Sequence, residues 1–118
     1  MRLLIMFTMI SLLASCYYDV EENLYGDSVC DTTDVSYTQD IAPILNTSCN
    51  GCHASAINIA NVSLDQHTAV KKYVDNGKLI GVIRHDPGFS AMPSGAPKIA
   101  DCSIQKIQAW IEAGSPNN

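Results

Sequence analysis

The chain has 118 residues, five of them cysteine, and a formal net charge of −5. A chain of this length has room for one domain. So small a domain buries a limited share of its surface on folding, so its hydrophobic core needs a further source of stability. The negative charge, with no concentrated basic patch beside it, argues against nucleic-acid binding, because a phosphate backbone would be repelled.

Residues 1–15 predict an export signal, with a positive charge at Arg2 and an almost unbroken apolar run over residues 3–13. The run is too short to cross a bilayer, which needs about 20 apolar residues. The tetrapeptide Leu13-Ala14-Ser15-Cys16 is similar to the lipobox of bacterial lipoproteins. That resemblance implies a lipid on Cys16, which anchors the exported protein to a membrane facing the periplasm or the cell surface.

Residues 16–35 predict an extended acidic tether. This segment holds half of the acidic residues of the chain and no lysine or arginine, and self-repulsion keeps such a segment from packing. Residues 36–118 carry equal numbers of acidic and basic side chains and form the predicted folded domain.

The folded domain is expected to begin with a helix from Tyr37 to about Asn46. Ser36 and Gln39 are placed to form its capping box. Directly after it stands Cys49-Asn50-Gly51-Cys52-His53, the signature of covalent haem attachment. Two cysteines three residues apart lie about one helical turn from each other, so both sulfurs can form thioethers with side groups of one haem. His53 can then bind the iron through one ring nitrogen.

Two other interpretations of this cysteine pair require contexts that the sequence does not offer. A zinc site needs four cysteine or histidine ligands at close spacing, and the remaining candidates, His67, His85, Cys30 and Cys102, form no second pair. A thioredoxin-like redox pair needs a strand–helix–strand context.

A second helix is predicted over Asp65–Asn76, with Asp65 as its N-cap and Gly77 as a left-handed stop. The segment Pro87–Pro97 is rich in proline and glycine and is expected to be irregular. Met92 lies within it and is the candidate for the second axial position of the iron. His67 and His85 are the alternatives for that position, and a vacant position would make the protein a haem enzyme or a gas sensor.

A last helix is predicted from the helical spacing of Ile104, Ile107, Trp110 and Ile111, with Asp101 or Ser103 as its cap and Gly114 at its end. No segment alternates as a strand would, so the predicted class is all-α, with three or more helices and long irregular loops. Cys30 and Cys102 are predicted to form a disulfide, since exported proteins can keep such bonds.

Residues 37–118 resemble a class I cytochrome c domain, and more narrowly the small monohaem domains of bacterial lipoproteins. The likeness rests on residues 37–45, which lead into the haem motif at 49–53, and on 83–85, Met92-Pro93, 101–102 and 107–114. It implies one covalent haem c with His53 and Met92 on its two faces, and contacts from Arg84 and His85 to a haem propionate, which charge complementarity also favours. The expected function is one-electron transfer between a donor and an acceptor protein, not enzymatic catalysis. A structural lipoprotein domain without cofactor is the remaining alternative.

Overall fold

A computed structural model describes residues 30–118. The predicted signal segment, the lipid site at Cys16 and most of the acidic tether lie outside the described residues. No helix in residues 30–118 has the length and apolar character needed to span a membrane.

The described residues form helices joined by loops and contain no strand, which confirms the helical class predicted from the sequence. A wide π-helical turn, Tyr37–Ile41, runs directly into α1. The helices are α1 (Ala42–Ser48), α2 (Asn50–His53), α3 (His67–Asp75), α4 (Lys78–Arg84) and α5 (Asp101–Glu112), with a 3₁₀ turn at Ile59–Asn61 between α2 and α3. The opening turn packs against α5, and α4 packs against both α3 and α5.

The start of the first helix is capped from both directions, but by a different pair of residues than the sequence predicted. The Ser36 hydroxyl accepts the Gln39 N–H at 3.3 Å, as expected. The reciprocal bond comes from Asp40, whose carboxylate accepts the Ser36 N–H at 3.0 Å. The predicted role of Gln39 in that bond is wrong, because the opening turn is wide. The N–H of Ile41 reaches the Ser36 carbonyl, five residues back, at 3.2 Å.

Asp40 also ties this opening turn to α5. Its carboxylate accepts a hydrogen bond from the Lys106 ammonium at 2.7 Å. The Lys106 bond, followed by the bond from the Ser36 N–H, lowers the pKa of Asp40 below its ordinary value. The two ends of the domain are therefore held together near the start of the folded segment.

The middle of the chain contains one helix more than the sequence predicted. α3 begins at His67, two residues later than expected, and Gln66 occupies its N-cap position without a side-chain bond. Gly77 takes the predicted left-handed conformation, with φ of +72°. Instead of a loop, α4 follows at once. Only seven residues long and with a glycine at its centre, α4 has little intrinsic propensity and depends on its buried face.

The last helix confirms the predicted pattern but not the predicted cap. Ile104, Ile107 and Trp110 are buried. Ala100 precedes the helix without a side-chain bond, so neither Asp101 nor Ser103 caps it. Cys102, in the first turn, lies at disulfide distance from Cys30, with 5.4 Å between their Cα atoms. The disulfide links the segment before the opening turn to the start of α5.

The core lies between the opening turn, α1, α4 and α5. Trp110 is at its centre, fully buried, with its indole N–H donating to the Pro116 carbonyl at 2.9 Å. The Tyr37 and His67 rings pack on Trp110, with ring centroids at 5.6 and 5.9 Å. The other buried apolar residues are Val35, Ile41, Leu45, Leu64, Val70, Leu79, Ile83, Ile104 and Ile107. This core is small, and it borders a cavity on one side of the domain.

Gly81, at the centre of α4, is buried beneath the ring of Phe89. A Cβ added at Gly81 would lie 2.7 Å from three carbon atoms of that ring. We therefore expect Gly81→Ala to push the exposed Phe89 ring outward and to lower the free energy of unfolding by about 1 kcal/mol, the low end of the overpacking range. Urea unfolding of the exported protein measures the change.

A matched double variant separates this clash from any other effect of the new methyl group. Adding Phe89→Ala to Gly81→Ala removes the clashing ring, so the double variant should lose less stability than the two single variants together. Strictly additive losses would contradict the proposed contact.

Candidate functional site

A cavity of about 580 Å³ lies beside the core. One part of its wall comes from the end of α1, α2 and the loop that follows, and another from α4 and the loop leading to α5. Most of its lining is apolar, including Ile59, Val62, Leu64, Leu79, Val82, Ile83 and Ile99. Its volume lies within the range of about 300–1,000 Å³ found for small-molecule and cofactor sites.

Cys49 and Cys52 both line this cavity, and neither is in a disulfide. Cys49 lies at the junction of α1 and α2, where its carbonyl accepts the Cys52 N–H at 3.1 Å and the His53 N–H at 3.0 Å. This single turn is what brings the two cysteines and the histidine to one cavity. Burial raises the pKa of the Cys49 thiol to about 11. Cys52 is exposed at the edge.

His53 lines the same cavity and is half-buried. Its Nδ1 atom is buried and has no hydrogen-bond partner. A buried polar atom without a partner costs about 1–3 kcal/mol, so such atoms in folded proteins commonly meet a ligand, an ion or an ordered water. The backbone of His53 is well fixed, since its carbonyl accepts the Leu64 N–H at 2.7 Å.

Met92 reaches the cavity from the irregular segment between α4 and α5. Its N–H donates to the Val82 carbonyl at 3.0 Å. Its own carbonyl accepts a hydrogen bond from His85 Nε2, also at 3.0 Å. The structure thus brings Cys49, Cys52, His53 and Met92, which are far apart in two groups along the chain, to one cavity.

The two other histidines are not among the lining residues. His67 Nε2 lies 2.9 Å from the Ser115 carbonyl, and its ring stands edge-on to Tyr37 with centroids 4.8 Å apart. His85 Nε2 is engaged by the Met92 carbonyl. Both side chains therefore already have backbone carbonyl partners.

The cationic residues near the cavity differ from those that the sequence suggested. Arg84 donates to the Gln108 side chain and does not line the cavity, and neither does His85. The contact of Arg84 and His85 with a haem propionate stays a prediction. The hydrogen bonds that these two side chains already make do not favour it. Lys78 and Tyr73, which sequence reasoning did not single out for the site, are lining residues instead. Lys78 is the first residue of α4, the helix that the sequence pattern did not reveal.

Within residues 30–118, no three side chains of histidine, cysteine, aspartate or glutamate come together as a metal-binding group. The four-ligand arrangement that a structural zinc ion needs is therefore not formed by the described residues.

Asp65 fixes the loop that carries part of the cavity wall, although it does not cap α3 as predicted. Its carboxylate accepts the hydroxyl of Ser55 at 2.6 Å and the N–H of Ser55 at 3.0 Å, and the hydroxyl of Ser63 at 2.8 Å. The Ser55 hydroxyl is the largest cause, followed by its N–H, of a pKa lowered to about 2. The loop between α2 and α3 is closed by this carboxylate.

Because the folded-state pKa of Asp65 lies below the ordinary value of 3.8, the carboxylate contributes stability above about pH 4 and loses it as the pH falls through about 2. We expect Asp65→Asn to be less stable than the parent at neutral pH. The difference in free energy of unfolding should shrink between about pH 4 and 2, as denaturant titrations over this range measure. A difference independent of pH would contradict this assignment.

Comparison of the chain with protein-family models, with curated proteins and with solved structures found no match. The resemblance of residues 37–118 to a known family therefore rests on the motif residues alone. The geometry of the cavity is the independent basis for a functional proposal.

Proposed function

We propose that the domain of residues 36–118 binds one haem covalently through Cys49 and Cys52 and serves as a one-electron carrier. The single observation that carries this proposal is the cavity that the haem-attachment cysteines, His53 and Met92 line together. A covalently bound haem that carries electrons needs two thiols and two axial ligands around one apolar space.

The residues present fit a haem. The cavity is large and mostly apolar, as a planar porphyrin requires. Both thiols are unpaired, and the buried Nδ1 of His53 has no protein partner. The imidazole is therefore not committed to a structural hydrogen bond at that atom.

Cys49 and Cys52 would hold the cofactor by thioether bonds. Each bond would form by addition of the thiol S–H across a haem vinyl group, which needs no oxidant or reductant. The raised pKa of Cys49 keeps its thiol protonated at neutral pH, and a protonated thiol reacts slowly. The resemblance to class I cytochrome c domains likewise implies that dedicated machinery attaches the haem after export.

His53 and Met92 would supply the two axial ligands. When bound, haem provides an iron atom that gains and loses one electron reversibly. A thioether ligand favours reduced iron and raises its potential, and a filled sixth position keeps small molecules from the iron. Both properties suit electron transfer between proteins.

A lipid on Cys16 would keep this carrier at a membrane, with the acidic residues of the tether holding the domain away from the surface. The partners are then a donor and an acceptor redox protein that meet it at the same membrane. The domain carries equal numbers of acidic and basic side chains, so we expect these encounters to depend only modestly on ionic strength.

A potentiometric titration followed by absorbance tests the proposed function. A haem carrier should titrate as a one-electron couple, with about 59 mV per tenfold change in the ratio of oxidised to reduced protein, and a dithiol pair with about 30 mV. A single reversible one-electron step supports the carrier. A two-electron step, or no redox-linked change in the visible spectrum, would contradict it.

A further inference from the structure

Met92 is held by hydrogen bonds on both sides of its backbone, and both partners belong to the end of α4. Its N–H donates to the Val82 carbonyl and its carbonyl accepts from His85 Nε2, each at 3.0 Å. Because a carbonyl only accepts, the His85 ring must carry its proton on Nε2. The two bonds close residues 85–92 into a loop whose ends meet at α4.

His85 has an unusual backbone for a histidine. It ends α4 in the left-handed conformation, with φ of +59° and ψ of 39°. Glycine is the residue that takes this conformation without strain, and a side chain with a Cβ needs compensating contacts to stay there. Within residues 30–118, the hydrogen bond to the Met92 carbonyl is the one that the His85 side chain makes.

The rest of the loop offers Met92 little further support. Gly88, Phe89, Ser90 and Ala91 are exposed. The ring of Phe89 packs on Gly81, which anchors the middle of the loop but not the end that bears Met92. Backbone bonds from the Asp86 N–H to the Gly81 carbonyl and from the Phe89 N–H to the Asp86 carbonyl shape the start of the loop, at 3.0 and 3.1 Å. The hydrogen bonds to Met92 itself come from Val82 and His85.

We infer that His85 is a positioning residue, which holds the Met92 thioether at the iron by donating a hydrogen bond to the Met92 carbonyl. This inference rests on the proposed function, because the position of Met92 matters to electron transfer only if its sulfur binds iron. His85 acts through Met92 and touches neither the iron nor the cavity. Its role differs from the ligand and propionate roles that its place in the sequence suggested.

Three variants of the full exported protein test this role. His85→Gly keeps the left-handed backbone and removes the donor. His85→Gln keeps an amide N–H at about the position of Nε2, and His85→Glu has the same shape as glutamine but can only accept at neutral pH. Glutamine and glutamate thus form a matched pair that differs in the hydrogen-bond donor.

Carbon monoxide binding to the reduced protein reports how often Met92 leaves the iron, since apparent affinity scales with the fraction of open sites. We expect about tenfold or more tighter binding in the glycine and glutamate variants than in the parent, and parent-like binding in the glutamine variant. The Met92 methyl resonance, which the haem ring current shifts upfield in a coordinated thioether, should weaken in the same two variants.

The outcomes separate this inference from the proposed function. Parent-like carbon monoxide binding in the glycine and glutamate variants, or a glutamine variant that behaves like glutamate, would overturn the role of His85 while leaving the haem assignment intact. A parent protein without haem, or one that already binds carbon monoxide readily, would overturn the proposed ligation itself.

Discussion

Replacing Cys49 and Cys52 together by alanine is expected to give a colourless and largely unfolded protein. The core of the described domain is small and borders a cavity of about 580 Å³ that water would have to fill. Native domains are stable by only about 5–15 kcal/mol, so losing the group that fills a mostly apolar space of this size removes much of that margin. Folding and haem capture should therefore be coupled.

Thermal unfolding followed by circular dichroism measures this coupling. The parent should show a cooperative transition, and the double alanine variant should show little helix and no such transition. A cooperative transition of the variant near that of the parent would contradict the coupling.

Removal of the other cysteine pair provides the matched control. Replacing Cys30 and Cys102 by serine also changes two cysteines, but it should leave the haem attached and the protein coloured. In the chain-entropy description, closing a loop over their separation of 72 residues contributes about 4 kcal/mol, so the midpoint should fall while the transition stays cooperative. A colourless product from this control would show that haem attachment requires the disulfide.

Replacing Met92 by leucine is expected to open the sixth position of the iron. Leucine has a similar volume and no sulfur, so the packing at the cavity should change little. If the bond between the Met92 sulfur and the iron opposes carbon monoxide binding by about 3 kcal/mol, its loss should tighten carbon monoxide binding to the reduced protein about 100-fold. The reduction potential should fall, because a thioether favours reduced iron.

The same variant distinguishes Met92 from the histidine alternatives. If His67 or His85 were the axial ligand, Met92→Leu would bind carbon monoxide as poorly as the parent. That result would contradict the assignment of Met92, and it would require either side chain to leave its present carbonyl partner.

The sequence predicted helices correctly where apolar residues recur at regular helical spacing. It missed a helix that depends on contacts with other parts of the fold. The pattern of Ile104, Ile107 and Trp110 located α5, since all three face the core. α4 was not predicted, because its seven residues include Gly81 at the centre. That glycine leaves space for the Phe89 ring to pack on the helix. That contact joins residues from different segments and leaves no mark in the local sequence.

The caps were predicted less well for a related reason. Asp65 has the residue type and position of an N-cap, yet Ser55 and Ser63 compete for its carboxylate and bind it in the preceding loop. Asp40 takes the role expected of Gln39 because a wide turn changes which side chain faces Ser36. Local chemistry identifies candidates for a cap, and the tertiary fold chooses among them.

For the candidate site, the sequence singled out four residues that prove to line one cavity, but it did not reveal the residues that hold them in place. Cys49, Cys52 and His53 stand in one recognisable motif, and Met92 was distinguished by its polar, turn-rich surroundings. The hydrogen bond from His85 and the place of Lys78 on the cavity wall depend on α4, so they became visible only in the fold.

We propose above all that this chain carries one covalently bound haem with a methionine ligand. An absorption spectrum of the protein, exported in a host that can mature c-type haem and then purified, tests both parts at once. The predicted spectrum shows the bands of a reduced c-type haem and, after oxidation, the weak long-wavelength band of sulfur-to-iron charge transfer. A colourless protein would contradict the account.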